Sequence, residues 1–432
     1  MSSNAGGDDG SRVMITDVPP KSPASTAISL DRWPDMAPPP PARLRAAIAR
    51  AVMRRVGRRA GLRVELPDGS HFGPDDAPLM QIRSPEFFFT RLGRDGKVGF
   101  GESFMAGDWD APNLAAAIEP LARNVDSLIP RWMQRIRAVY EARQPAAEDN
   151  DRAGARRNIH RHYDLSNDLF GLFLDETMTY SSALFDDPAT ESLTTAQHRK
   201  IDRLLDQARV TEGSRVLEIG TGWGELAIRA ARRGASVTTI TLSDEQAALA
   251  VERAKAAGVA GLVDVRLCDY RDVDGTYDAV VSVEMIEAVG ERWWPTYFQV
   301  LDRRLAPDGT IGLQAIVMPH RRMMAARRSY SWIHKYIFPG GIIPSIDAIK
   351  DTVAKRTSLQ IVEAKQFGRS YAETLRRWQD RFVAATDALG ALGFDETFRR
   401  MWTFYLAYCE AGFRAGYLDV VQLTLKRPAI TT

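Results

Sequence analysis

Cysteine is nearly missing from this 432-residue chain. Its two residues, Cys268 and Cys409, can build neither a disulfide framework nor a cysteine-rich zinc site, and a reducing, cytoplasmic setting is expected. No apolar run approaches the roughly 18 residues that a membrane-spanning helix needs. The opening stretch from Met1 to Gly10 is polar and acidic, unlike a signal peptide or hydrophobic anchor. Only six histidines occur. His160 and His162 stand close together, but no further Cys or His follows at ligand spacing, so no metal site is expected. An excess of charge of one sign is lacking too: 57 Lys and Arg against 55 Asp and Glu leave +2. Where the charge sits therefore matters more than its sum. The rest of the composition, 45% hydrophobic and 26% charged, is that of a globular protein with a sizeable core, and the length suggests two to three domains.

Residues 1–42 carry eight prolines and few large apolar groups, too little to offset chain entropy, and are expected to be disordered. Residues 43–63 then hold eight arginines and no acid. Leu44, Ile48, Val52 and Val56 recur every four residues and predict one apolar stripe on a basic amphipathic helix. Such a helix suits an anionic lipid surface or nucleic acid, or a solvated helix on its own domain. Turns at Pro67-Asp68-Gly69 and Gly73-Pro74, the Phe87-Phe88-Phe89 run and helices around 113–143 suggest a small mixed domain. The polar stretch 143–157 reads as a linker. The expected division is therefore a tail over 1–42, an N-terminal lipid-interaction domain over 43–145 and a catalytic domain over 146–430.

Beyond residue 190, β-branched apolar runs at 216–219, 237–242, 263–267, 279–283 and 310–316 alternate with helical segments near 194–208, 224–233, 244–257 and 294–305. This alternation predicts an α/β fold, a doubly wound parallel sheet with right-handed crossovers. Residues 320–418 break the alternation with mostly helical, aromatic sequence before a last strand at 420–425, as an inserted helical cap over the sheet edge would.

The first strand of this region ends in Glu218-Ile219-Gly220-Thr221-Gly222-Trp223-Gly224. Glycines at a strand's carboxyl end let backbone approach a ligand. The third glycine of a dinucleotide fingerprint is replaced by Glu225, and the spacing E-x-G-x-G-x-G is instead that of S-adenosylmethionine methyltransferases. The second strand ends in Thr241-Leu242-Ser243-Asp244-Glu245-Gln246. No carboxylate directly follows it, so Gln246 is the candidate for the ribose hydroxyls, with Thr241 and Ser243 beside it. After the third strand, Cys268-Asp269-Tyr270-Arg271 offers polar and aromatic groups for the adenine. Glu284 is a candidate cofactor or helix-capping contact.

Six ordered stretches go further. They are Gly101-Glu102-Ser103-Phe104-Met105-Ala106-Gly107-Asp108-Trp109, His162-Tyr163-Asp164-Leu165-Ser166-Asn167-Asp168, Thr179-Tyr180-Ser181-Ser182-Ala183, the Gly220 loop, Tyr336-Ile337-Phe338-Pro339-Gly340-Gly341 and Phe413-Arg414-Ala415-Gly416-Tyr417. Through them, from about residue 83 to 427, the sequence resembles the cyclopropane fatty acid synthase and mycolic acid cyclopropane synthase family. The resemblance implies a Rossmann-like class I methyltransferase sheet, cofactor contacts from Thr179, Tyr180 and Ser181, and methyl transfer to a cis double bond of a lipid acyl chain. It also implies a bound bicarbonate as base, held by the positions that fall here on Ser182, Glu287, Gln314, Ile316 and Tyr371. The family's usual cysteine is Ser182 here, its usual histidine is Gln314, and the histidine that commonly follows the glutamate is Ala288. The Gly220–Leu226 loop and the Leu313-Gln314-Ala315-Ile316 segment resemble the branch that methylates oleoyl phospholipids toward tuberculostearic acid without closing a ring.

The implied partners are a phospholipid membrane surface, a reductase completing the methyl branch and a second copy of the chain, with no nucleic acid. The implied location is the inner face of the membrane, as a peripheral protein. A cyclopropane-forming synthase is the nearest alternative. An RNA or protein methyltransferase would use the same arginines on phosphates, but Glu284-Met285-Ile286-Glu287 stands where an Asn/Asp-Pro-Pro-aromatic loop would be needed. A lipid-binding scaffold with a relic pocket is disfavoured by the intact Glu218, Gly220, Gly222, Gly224 and Gln246.

Overall fold

The computed structural model describes residues 28–128, 150–152, 154–155, 166–327 and 329–428. The first 27 residues, most of the expected linker, helices beyond 128, His160, His162 and the first part of the His162 motif lie outside them.

A small sheet opens the chain, built from β1 (Arg63–Glu65), β2 (His71–Phe72), β3 (Leu79–Ile82) and β4 (Trp109–Asp110) in the order β2-β1-β3-β4. The larger sheet has seven strands: β5 (Arg215–Ile219), β6 (Ser236–Thr241), β7 (Val263–Leu267), β8 (Tyr277–Val283), β9 (Leu305–Val317), β10 (Gln360–Gln366) and β11 (Asp419–Lys426). Their order is β10-β11-β9-β8-β5-β6-β7. β5 to β9 run parallel, while β11 is antiparallel to both β9 and β10. This is the doubly wound sheet that the alternation of strands and helices predicts. Its central strands are covered on both faces, so their apolar runs are nearly continuous. The helices Leu193–Gln207, Glu225–Arg232, Asp244–Ala256 and Trp294–Arg304 fall within a residue or two of the sequence reading.

Three expectations need correction. The apolar stripe of the Arg43–Ala60 helix is not the one the four-residue spacing suggested. Ala49, Met53, Val56 and Gly57 are buried, whereas Leu44 is 77% and Ile48 44% exposed. A strict four-residue step drifts around a 3.6-residue helix, so that of the four residues Val52 is half-buried against the core and Val56 alone is fully buried. Second, residues 28–42 are not wholly without structure. Arg91, itself buried and paired with Asp108 (3.1 Å), donates to the carbonyls of Asp35, Met36 and Ala37. Met36 is buried, and the Trp33 indole donates to Asp395 (2.8 Å). Third, the insertion over 320–418 contains a strand, β10. It is largely exposed and polar, an edge strand that among the described residues pairs with β11 alone. Without an apolar face it left no alternation to read.

The N-terminal elements and the cap share one hydrophobic core. The Pro85–Met105 helix packs on the cap helix Glu396–Arg414 through Phe104 and Phe404 (5.5 Å between rings), and Trp332 meets Phe404 edge-on at 4.7 Å. The fit is close enough that a Cβ on Gly101 would lie 2.4 Å from the Trp332 ring.

Candidate active site

The glycine turn after β5 and the following helix open a cavity at the carboxyl edge of the parallel strands. Gly220 has φ +98, and a Cβ there would meet the Met285 side chain at 2.7 Å. Gly222 has φ +51 and nothing within 4 Å of where its Cβ would be. That open space belongs to the cavity. The walls come from four places: the glycine loop, the 178–181 segment, Thr241 with Gln246 beyond β6, and Cys268 with Tyr270 beyond β7. Glu284 and Met285, after β8, close the floor.

Two buried polar atoms in this wall have no partner among the described residues, Glu218 Oε2 and the Tyr270 hydroxyl. Buried polar groups left unpaired are costly, so such atoms mark places where a ligand completes the hydrogen bonding. Burial pushes the Glu218 carboxyl up to about 8, against the Thr239 hydroxyl and the Lys200 ammonium. Thr241 Oγ1 donates to Gln246 Oε1 (2.9 Å), leaving the amide NH2 of Gln246 for a ribose oxygen. The residues thus fit S-adenosylmethionine: an adenine edge at Tyr270, a ribose at Gln246, and the unpaired Glu218 oxygen as a further acceptor for the ligand.

Several expected cofactor residues stand behind this wall. Gly224 adopts φ +90 and starts the Glu225–Arg232 helix. The Ser243 hydroxyl caps the next helix by accepting from Gln246 N (3.2 Å). Asp269 and Arg271 are spent on one another at 2.7 Å. That pair holds Asp269 below the ordinary carboxylate range despite its burial. The guanidinium also lies over the Tyr270 ring at 5.3 Å, fixing the ring's plane.

Beside the cavity three of the five positions implied for bicarbonate, Ser182, Gln314 and Tyr371, converge on a protein carboxylate, and the other two, Glu287 and Ile316, pair with each other. Glu284 Oε1 accepts from Ser182 N (3.0 Å) and from Gln314 Nε2 (2.8 Å), and Glu284 Oε2 accepts from the Tyr371 hydroxyl (2.8 Å). Glu287 Oε1 accepts from Ile316 N, while its Oε2 is buried without a partner among the described residues. The Ser182 hydroxyl turns away to donate to Ala183 O (2.9 Å). Gln314 is oriented from behind, its Oε1 accepting from Gln422 Nε2 (3.0 Å). Burial and the neighbouring Glu284 charge push Glu287 up to about 8, so it is protonated at neutral pH. Burial raises Glu284 as well, but Lys200, Ser182, Gln314 and Tyr371 all favour its anion.

Lys200 escaped the sequence reading. It is fully buried, its ammonium donates to Ser181 Oγ (2.6 Å), and it is held down to about 8 by burial against the pull of Glu284, Asp175 and Glu218. Its neighbour Gln197 donates to Ser181 O (2.9 Å). A legible signal existed: Gln197 and Lys200 fall on the inward stripe Leu193, Ala196, Ile201 and Leu204 of their helix, where buried polar residues must have partners. Thr179 and Tyr180 do line the cavity, and the Tyr180 and Tyr405 hydroxyls meet at 2.7 Å. Tyr180 lies 5.2 Å from Trp378 and Tyr371 4.6 Å from Phe413, ring to ring. An aromatic wall therefore adjoins the carboxylates.

Comparison with known proteins agrees with this geometry. Residues 150–423 match the family model described as mycolic acid cyclopropane synthetase. The tuberculostearic acid methyltransferase UfaA1 of Mycobacterium tuberculosis is 53% identical over 414 residues, covering 93% of this chain and 97% of that protein. The cyclopropane-fatty-acyl-phospholipid synthase of Escherichia coli K12 is 34% identical over 350 residues, 81% of this chain and 87% of its own. Among solved structures, the mycolic acid cyclopropane synthase CmaA1 complexed with SAH and CTAB superposes with a TM-score of 0.58 at 30% identity. It covers 66% of this chain and 99% of that one.

Proposed function

Because the chain belongs to the mycolic acid cyclopropane synthetase family, we propose that it methylates the cis double bond of an unsaturated acyl chain in a phospholipid and leaves a mid-chain methylene group. It is an S-adenosylmethionine-dependent methyltransferase. The cofactor supplies an electrophilic methyl on a sulfonium, and everything else falls to the chain's own residues. Tyr270, Gln246 and Glu218 bind and orient the donor. An isolated alkene is a weak nucleophile, so it must be held in line and dry. Attack leaves a carbocation on the acyl chain. The Tyr180, Trp378 and Tyr371 rings can stabilise it, at about 2 kcal/mol per well-placed desolvated face. A base must then take a proton.

The observation that carries this reading is a shared wall. Tyr180 and Glu284 line the cavity of the glycine loop and also belong to the aromatic and carboxylate cluster. Methyl donor and proton acceptor therefore face the same space. The likeness to a tuberculostearic acid methyltransferase over 93% of the chain supports methylation without ring closure. An exomethylene product needs a hydride and a proton from a separate reductase to become a methyl branch.

Access to phospholipid is supported by the Arg43–Ala60 helix. Its outer face exposes Leu44 and Ile48 among Arg43, Arg54, Arg55, Arg58 and Arg59. Near an anionic surface each such arginine contributes about 1 kcal/mol. Among the described residues no helix is long and apolar enough to cross a membrane, so this contact would be peripheral.

The test is to incubate the protein with S-adenosylmethionine and a cis-monounsaturated phospholipid and to record proton NMR spectra of the released acyl chains. Ring and exomethylene products have equal mass, so the spectrum decides. Vinylidene protons are expected, and upfield ring protons would overturn the reading.

A further inference from the structure

Within the reaction proposed above, on which this rests, we infer that the general base is the carboxylate of Glu284, standing where the family resemblance implies a bound bicarbonate. A bicarbonate and a side-chain carboxylate present the same planar pair of oxygens. The donors that would receive such a pair are already committed. Ser182 N and Gln314 Nε2 converge on one Glu284 oxygen at 3.0 and 2.8 Å, and the Tyr371 hydroxyl reaches the other at 2.8 Å. With these three donors engaged, the residues present do not fit a second, free anion.

The backbone tells the same story. Glu284 follows β8 with φ +53, one of four non-glycine residues at positive φ among the described residues. Such a conformation persists only where its surroundings over-determine it, and such sites cluster at functional centres. Here the strained turn aims the carboxylate at the cluster while its side chain still lines the cofactor cavity. Glu287, three residues on, cannot take the same role. Among the described residues the one other residue that donates to it is Ile316, through its backbone N–H, and burial with the neighbouring Glu284 pushes its carboxyl up to about 8. Lys200 lies near Glu284 and favours its charged form. Of the two carboxyl groups in this site, Glu284 is the one that receives donors on both of its oxygens, and such donors favour the charged form that a base needs.

The step balances without an outside reagent. The alkene π pair forms the bond to the incoming methyl carbon, and the carbon–sulfur bond breaks with its pair on sulfur. A hydride from the methyl-bearing carbon moves to the adjacent cationic carbon. A proton then leaves the new methyl group for a Glu284 oxygen, and its C–H pair becomes the exomethylene double bond.

The experiment compares wild type, Glu284→Gln and Glu284→Gly in carbon-dioxide-free buffer with and without added bicarbonate. Wild-type turnover should be unchanged by bicarbonate. E284Q should lose about 10²–10⁴-fold in kcat, the usual range for a missing general base, with cofactor Kd within about threefold. E284G suits the left-handed backbone and should keep the wild-type circular dichroism spectrum. It should be inactive without bicarbonate and regain turnover with it. A readout independent of turnover is the 13C linewidth of labelled bicarbonate, which E284G should broaden and wild type should not. Wild-type turnover that collapses on removal of carbon dioxide, an active E284Q, or an E284G that bicarbonate neither binds nor restores would each overturn the assignment. If wild type methylates no unsaturated phospholipid at all, the proposed reaction fails instead, and the wild-type arm alone reveals that.

Discussion

Glu287 illustrates how one residue couples chemistry to stability. Its carboxyl is raised to about 8, whereas an unfolded chain gives up that proton near the ordinary carboxylate value of about 4.3. Between those limits the native state holds a proton that the unfolded state has lost, so stability falls as pH rises and levels off above about 8. Glu287→Gln mimics the protonated form and removes this slope. Thermal unfolding from pH 5 to 8 should show the variant gaining on wild type steadily as pH increases. Parallel curves would mean that Glu287 is ionised in the fold. Glu284 and Lys200 show what sequence can and cannot reveal at this scale. Glu284 was visible as a polar residue after a strand, but Ser182, Gln314 and Tyr371 come from three distant segments, and only tertiary structure shows them converging on it. Lys200 was hidden by the habit of reading lysine as surface.

Among elements, legibility followed burial. β5, β6, β8, β9 and β11 were readable because strands covered on both faces need nearly unbroken apolar runs, and β7, itself an edge strand, by its alternating Val263, Val265 and Leu267. β10, a more polar and more exposed edge, was not. The Arg43–Ala60 helix was found with its limits nearly right but its faces confused. Leu44 and Ile48 point away from the core, among arginines, and on the proposal made above they would enter the lipid surface. The double substitution Leu44→Asp with Ile48→Asp should sharply lower co-sedimentation with anionic vesicles while changing the unfolding free energy by no more than about 0.5 kcal/mol per site, as for other exposed positions. A matching loss of stability would show that these side chains are packed after all. Met53→Asp, on the buried face, provides the contrast and should destabilise the protein by several times as much.

At the scale of the molecule, the N-terminal segment and the cap are held as one body by a continuous core. Composition shifts along the sequence suggested separate units, but composition says nothing about which apolar faces meet. Gly101→Ala tests the contact: its added methyl collides with the Trp332 ring. Overpacking of this kind costs about 1–3 kcal/mol, so the unfolding midpoint should drop by several degrees in a single transition. Two separate transitions in the variant would instead indicate halves that melt independently. The sheet order carries a last implication. β11, latest in the chain, lies between β9 and β10 and supplies Gln422, which steers Gln314 toward Glu284. A nascent chain emerging from the ribosome can assemble the nucleotide-binding strands early, yet it must wait for residues 419–426 before the sheet closes and chemistry becomes possible.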